Sequence, residues 1–214
     1  MGFFDSLPVP PPPERPRRPR LPEWHQPGHD VVPAALAVEG LLVHRPALAV
    51  FVNSLEVYPN GFVFGVTVLR RRVAGGVFGV HEDNPFGPHW LRAAEQVSDP
   101  GRYLRFGVQY ADGSATAART GVPRPDRAAA PERPYMVPHR GHGGRGDWEQ
   151  GYWIWGLPER GDVCLVYSWL DENVPESRFE LDGEALRAAA DRAVRLWPER
   201  APQSAAEGED AGEP

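Results

Sequence analysis

The chain has 214 residues, a net charge of −6 and 23 basic residues, all of them arginine. Without lysine it has no phosphate-loop lysine, no Schiff-base lysine and no lysine general base. With one cysteine, Cys164, it has no intrachain disulfide, Cys-rich zinc site or iron–sulfur cluster.

Mild acidity argues against general nucleic-acid binding. The start, MGFFDSLPVP, has no cationic n-region and no apolar h-region. The longest unbroken apolar run, Ala47 to Val52, is six residues, far short of a membrane span. These features, with the single cysteine, predict a cytoplasmic protein that does not enter the membrane.

Three regions are expected. Residues 1–30 read as a disordered Pro-rich arm, 31–198 as one globular domain, and 199–214 as a disordered acidic tail. Eight prolines fall between residues 8 and 22, which favours exposed polyproline II over helix or sheet. Phe3, Phe4 and Leu7 form an apolar tip ahead of this stalk. Such a tip suits docking on a partner or folding back on its own domain; the plain alternative is a solvated tail.

Within the domain the pattern is mostly strand. Ala47–Val57 is apolar and β-branched, and Tyr58-Pro59-Asn60-Gly61 follows, with the Asn-Gly pair of a tight hairpin. Phe62, Phe64, Val66 and Val68 then recur at period two. Leu104–Tyr110 alternates, and Asp112-Gly113 turns it into Ser114–Arg119, a second hairpin. Tyr152–Leu157 and Val163–Leu170 are apolar on both faces and read as a third, central and buried. Arg178–Leu181 adds a short strand. Asp182 then caps a helix whose stripe is Leu186, Ala190, Ala193 and Trp197, ended by Pro198. About eight strands, mostly in hairpins, with one C-terminal helix predict a mainly β fold. The expected form is an antiparallel β-sandwich, immunoglobulin-like, or a rolled barrel. Two long loops interrupt it, 73–101 and 120–147. Loops of that length are functional or disordered.

Several strings together resemble a family of uncharacterised actinobacterial proteins. They are MGFFDSLPVPPPP, YPNGFVF, LRFGVQYADG, GHGGRGDWEQGYWIWGLP and AAADRAVRLWP. The shared marks are a Pro-rich N-terminus, a Gly-rich loop before a GYWxW strand, and a C-terminal helix ending in Leu-Trp-Pro. The resemblance implies a β fold in a bacterial cytoplasm. It carries no activity, cofactor or catalytic residue.

The candidate chemistry lies in the loops. In the run from His139 to Asp147, clustered glycines free backbone N–H groups to converge on an anion, with Arg140, Arg145 and Asp147 as binding residues. The plain alternative is a flexible connector. His81, His139 and His142 are candidate metal ligands if the two long loops meet; alone, each is a solvated histidine. Seven tryptophans supply a possible Trp-rich surface, with Trp148, between two acids, as its expected exposed member. The bulk of them fit a core. No nucleophile elbow or framed metal motif is present. The expectation is therefore a non-enzymatic protein-interaction module with no cofactor and a protein partner, using its Pro-rich arm and the Trp-rich surface. The alternative is a small-ligand, anion or metal-dependent site formed by the two loops.

Overall fold

A computed structural model describes residues 21–71, 84–87, 102–118, 129–144 and 146–197. Among the described residues twelve strands follow in chain order: β1 Val31–Val32, β2 Ala34–Ala35, β3 Gly40–Arg45, β4 Leu48–Tyr58, β5 Gly61–Arg70, β6 Arg105–Tyr110, β7 Ala115–Ala117, β8 Tyr135–Gly144, β9 Asp147–Trp155, β10 Val163–Trp169, β11 Val174–Leu181 and β12 Val194–Arg195. Among the described residues one α-helix, α1, spans Gly183–Ala190.

The strands form a six-stranded sheet, a four-stranded sheet and a two-stranded ribbon. The large sheet has the order β2-β4-β5-β9-β8, with β3 also on β4; the small one has the order β11-β10-β6-β7. Every pairing is antiparallel. The two sheets face each other across one core as a β-sandwich, and they do not close into a barrel. Period-two alternation supplies that core. Phe62, Phe64, Val66 and Val68 point inward from β5, while Phe106, Val108 and Tyr110 answer from β6. Phe64, Phe106 and Tyr152 meet across the interface with ring centroids 5.2 to 5.8 Å apart. Polar tips are satisfied as the rings are buried. Tyr110 Oη donates to the carbonyl of Gly156 at 2.5 Å, and Trp169 Nε1 to that of Arg102 at 3.0 Å.

The first two hairpins form as expected, β4–β5 and β6–β7. The turn of the first differs. Pro59 and Asn60 are the two loop residues, and neither has positive φ, because proline fixes φ near −65° and excludes the primed turn. Gly61 serves packing instead. A Cβ there would run into the carbonyl of Ile154 and the indole of Trp153.

The third expected hairpin is corrected. β9 and β10 lie in different sheets: β9 pairs with β5 and β8, β10 with β6 and β11. The connection 156–162 crosses the sandwich, with positive φ at Gly156 and Gly161. Both strands are central in their sheets, but β10 has only one fully buried face. Cys164 and Val166 are half-buried on the other.

The helix is shorter than its periodicity predicts. Asp182 caps it as expected, accepting from the amide of Ala185 at 2.9 Å. Leu186, Ala189 and Ala190 are buried against the core. After Ala190 the chain turns and Val194–Arg195 pairs with Val31–Val32. Ala193 and Trp197 therefore leave the stripe. A strand ladder on β1 replaces the last turn of helix.

The boundary of the N-terminal arm also moves. Residues 21–30 belong to the fold and form a strap over the outer face of the large sheet. Trp24 is buried there with Tyr58, Val63, Tyr135, Val137 and Trp153 in a second apolar cluster. Trp153 Nε1 donates to the carbonyl of Glu23 at 2.9 Å, and Asn60 Nδ2 to its carboxylate at 2.8 Å. A six-member apolar cluster on the solvent side of a sheet needs a cover, and Trp24 supplies it. Residues 1–20, with Phe3, Phe4 and Leu7, lie outside the described residues, as does 198–214.

Candidate functional site

The glycine-rich run is strand from His139 to Gly144, which overturns its reading there as a loop. Tyr135–Gly144 is β8, hydrogen-bonded to β9 with Gly141 opposite Gln150, His142 opposite Glu149 and Gly144 opposite Asp147. Its extended backbone belongs to the ladder, so its N–H groups do not converge on one point. The glycines allow close packing there. A Cβ at Gly143 would press on the backbone and ring of Trp148.

This strand brings some of the expected site residues onto one surface, the outer face of the large sheet. A cross-strand pair of glycines, Gly65 and Gly151, leaves a side-chain-free row on β5 and β9. Bulges flank it on both sides, at Asn53 in β4 and at His139-Arg140 in β8. Bulges re-aim side chains. Here Arg140 reaches across the two intervening strands to Glu56 on β4, with Nη2 to Oε2 at 3.1 Å. No side chain rises at Gly65 or Gly151 to block it. Tyr58 Oη also donates to Glu56, at 3.3 Å, and Asn53 Nδ2 to Thr67 Oγ1 at 2.8 Å.

Burial and the Glu56 carboxylate push the Tyr58 hydroxyl up to about 12, so it stays a donor at neutral pH. His139 is held below the ordinary histidine value by burial first, and by the positive charge of Arg140. It is therefore neutral near pH 7. His142 Nε2 lies 3.5 Å from Glu149 Oε2. The row is thus polar but internally matched: its arginine, its acids and its hydroxyls bind one another. What it does chemically is tie β8 to β4 beside the strap.

The remaining candidates separate. Trp148 points inward opposite Val68 and packs half-buried against the core, because alternation along β9 sends it there. It is not the exposed member. Trp24, Trp153 and Trp169 are buried. Trp155 is half-buried under the guanidinium of Arg133, 4.2 Å from the ring centroid. The Trp-rich surface is therefore largely core. Asp147 is exposed at the end of β9. Arg145 and His81 lie outside the described residues. Among the described residues no group of three or more His, Cys, Asp or Glu is placed to hold a metal ion. No helix among them is long and apolar enough to cross a membrane.

One surface was missed by sequence reasoning. β1 and β12 form a ribbon in which Val32 lies directly opposite Val194. Leu196 follows Val194 at period two and extends the ladder, its amide donating to the carbonyl of Asp30 at 2.7 Å. Val32, Val194, Leu196 and neighbouring Trp197 are 47%, 57%, 47% and 63% exposed. Val32, Val194 and Leu196 thus line one face of the ribbon in solvent, and exposed Trp197 follows Leu196 in the chain. The other face of the ribbon is committed: Val31 packs on the outer cluster, and Arg195 pairs with Asp30 at 3.8 Å. The sequence signal was present as Val-Arg-Leu-Trp, but helical periodicity absorbed it.

No protein-family model matches the chain, and neither a curated protein nor a solved structure does.

Proposed function

We propose that the protein is a non-enzymatic protein-interaction module whose docking surface is the β1–β12 ribbon. The observation that carries this reading is the exposed apolar face formed by Val32, Val194 and Leu196, with exposed Trp197 next in the chain. Large apolar side chains grouped in solvent on one face mark an interaction site, and tryptophan is among the residues enriched at hot spots. The polar row at Glu56 and Arg140 supports the same reading from the other side, since its charged groups are spent on each other. The ribbon replaces Trp148 as the anchor of the module. The arm at Phe3, Phe4 and Leu7 stays its second element, and the cytoplasm its proposed setting.

Site-directed photo-crosslinking tests this. A photoreactive residue is placed at position 197 and, separately, at exposed Glu176 on β11. In cells expressing the protein, position 197 yields a discrete protein adduct and position 176 does not. Equal labelling, or none at 197, overturns the reading.

A further inference from the structure

We propose that Asn60 is a site of spontaneous deamidation, and that the carboxylate formed there releases the strap from the outer apolar cluster. This is independent of the docking role of the ribbon. The chain has four asparagines, Asn53, Asn60, Asn84 and Asn173. Deamidation begins when the main-chain nitrogen of the next residue attacks the side-chain carboxamide. Asn84 precedes Pro85, which has no N–H to give up, and Asn173 precedes Val174, whose branched side chain crowds the attack. Asn53 sits at the bulge in β4 with its Nδ2 donating to Thr67 Oγ1 at 2.8 Å. Asn60 precedes Gly61, which puts no Cβ in the way.

The Asn-Gly pair is not held in place by its turn, since neither loop residue has positive φ. Each member has a different role. Gly61 is required by packing, because a Cβ there meets the carbonyl of Ile154 and the indole of Trp153. Asn60 is a tie to the strap: its Nδ2 donates to Glu23 Oε2 at 2.8 Å. Its own carbonyl accepts from the amide of Gly156 at 2.8 Å. The residue lies in the two-residue loop between β4 and β5 and is half-buried, so water reaches its carboxamide.

The reaction needs only water. The Gly61 nitrogen bonds to Asn60 Cγ, the Cγ–Nδ2 bond breaks, and ammonia leaves with the proton that the Gly61 nitrogen gives up. A cyclic imide results. Water then opens it at one of two carbonyl carbons. Opening at Cγ restores the main chain with aspartate at position 60. Opening at the main-chain carbonyl routes the chain through Cγ and lengthens it by one carbon.

Both products undo the tie. A donor facing Glu23 becomes a second carboxylate at hydrogen-bond distance, and like charges this close repel. The longer product also shifts Gly61 against Ile154 and Trp153. Glu23 is the hinge of the strap's hold, because its carbonyl also accepts from Trp153 Nε1 at 2.9 Å and Trp24 follows it in the chain. Moving Glu23 away therefore lifts Trp24 off Tyr58, Val63, Tyr135, Val137 and Trp153. The change is a local opening, since the core between the sheets keeps all its contacts.

The test incubates the full chain at mildly alkaline pH, follows each asparagine by peptide mass, and separates the products by anion exchange. Asn60 deamidates several-fold faster than Asn53 or Asn173 in the folded protein. Hydroxyl-radical labelling of Trp24 then rises several-fold in the deamidated fraction, while Trp169, buried between the sheets, keeps its rate. The variant Asn60→Asp labels like the deamidated fraction. Adding Glu23→Gln to it restores slow labelling of Trp24, because the glutamine amide donates to the new carboxylate. Deamidation at Asn60 no faster than at Asn53 and Asn173 overturns the site. Unchanged Trp24 labelling after deamidation overturns the release, and so does a rise shared by Trp169, which signals global unfolding. A double variant that labels like Asn60→Asp alone overturns the carboxylate repulsion as its cause.

Discussion

Replacing Trp24 with alanine removes the centre of the strap. Trp24 is 5% exposed. A buried tryptophan withdraws about 150–250 Å² from water, which at about 25 cal/mol per Å² is about 4–6 kcal/mol. Correcting for a compact unfolded chain lowers this to about 3–5 kcal/mol, the range of aromatic-to-alanine truncations in cores. The edge-on contact with Tyr135, at 5.7 Å between ring centroids, is lost as well and keeps the estimate at its upper end. The expected fall in Tm is about 8–16 °C for a domain of this size. Urea denaturation followed by circular dichroism measures the change, with Trp24→Phe as an intermediate and Trp197→Ser as an exposed control. The control moves stability by less than ~0.5 kcal/mol. Deleting residues 1–20 leaves stability near wild type, whereas deleting 1–30 costs at least as much as Trp24→Ala. A Trp24→Ala cost below about 1 kcal/mol would refute the argument, because it would mean that the strap does not cover the outer cluster.

Gly183→Ala sets helix propensity against packing. Alanine gains at most about 1 kcal/mol over glycine in a helix, less at this first helical position after the Asp182 cap, but its Cβ collides with the carbonyl oxygen of Gly161, and overpacking costs about 1–3 kcal/mol or more; the net result in urea denaturation is destabilisation. Tyr110→Phe leaves the buried carbonyl of Gly156 without its donor and lowers stability by about 1–3 kcal/mol in the same assay. His25 and His139 both have values lowered from 6.5, by burial in each case, so the fold holds their neutral forms. Their contribution is complete above pH ~6.5 and is lost as the pH falls through the lower folded values. The urea midpoint therefore drops as the pH falls below about 6.5, and drops less in His139→Gln.

The β4–β5 hairpin was legible because one face of each strand is wholly apolar and a turn signal sits between them. The pairing of β9 and β10 was not. Both carry large apolar residues on successive positions, Tyr152-Trp153-Ile154 in one and Val166-Tyr167 in the other, and such runs mark burial without naming a neighbour. β8 was hidden by composition. Glycine, histidine, proline and arginine have low strand preference, and what makes them a strand is tertiary: Gly141 and Gly143 pack where β9 comes too close for a side chain. Trp24 was hidden in the same way, by prolines around it. Asp182 showed the start of α1, but nothing local to Ala190 showed that the chain would leave the helix to pair with Val31. The candidate residues His139, Arg140 and His142 were rightly read as neighbours in sequence. That Arg140 is spent on Glu56, 84 positions away, depends on two bulges and a glycine pair that no local pattern displays.

Hydroxyl-radical footprinting of the tryptophans tests the central claim most directly, that the β1–β12 ribbon is a docking surface. In dilute purified protein Trp197 is modified much faster than buried Trp153. Inside expressing cells Trp197 becomes protected, while half-buried Trp148, which packs against the core between the sheets, keeps its rate relative to Trp153. A Trp197 that reacts as fast in cells as in dilute solution would contradict the account.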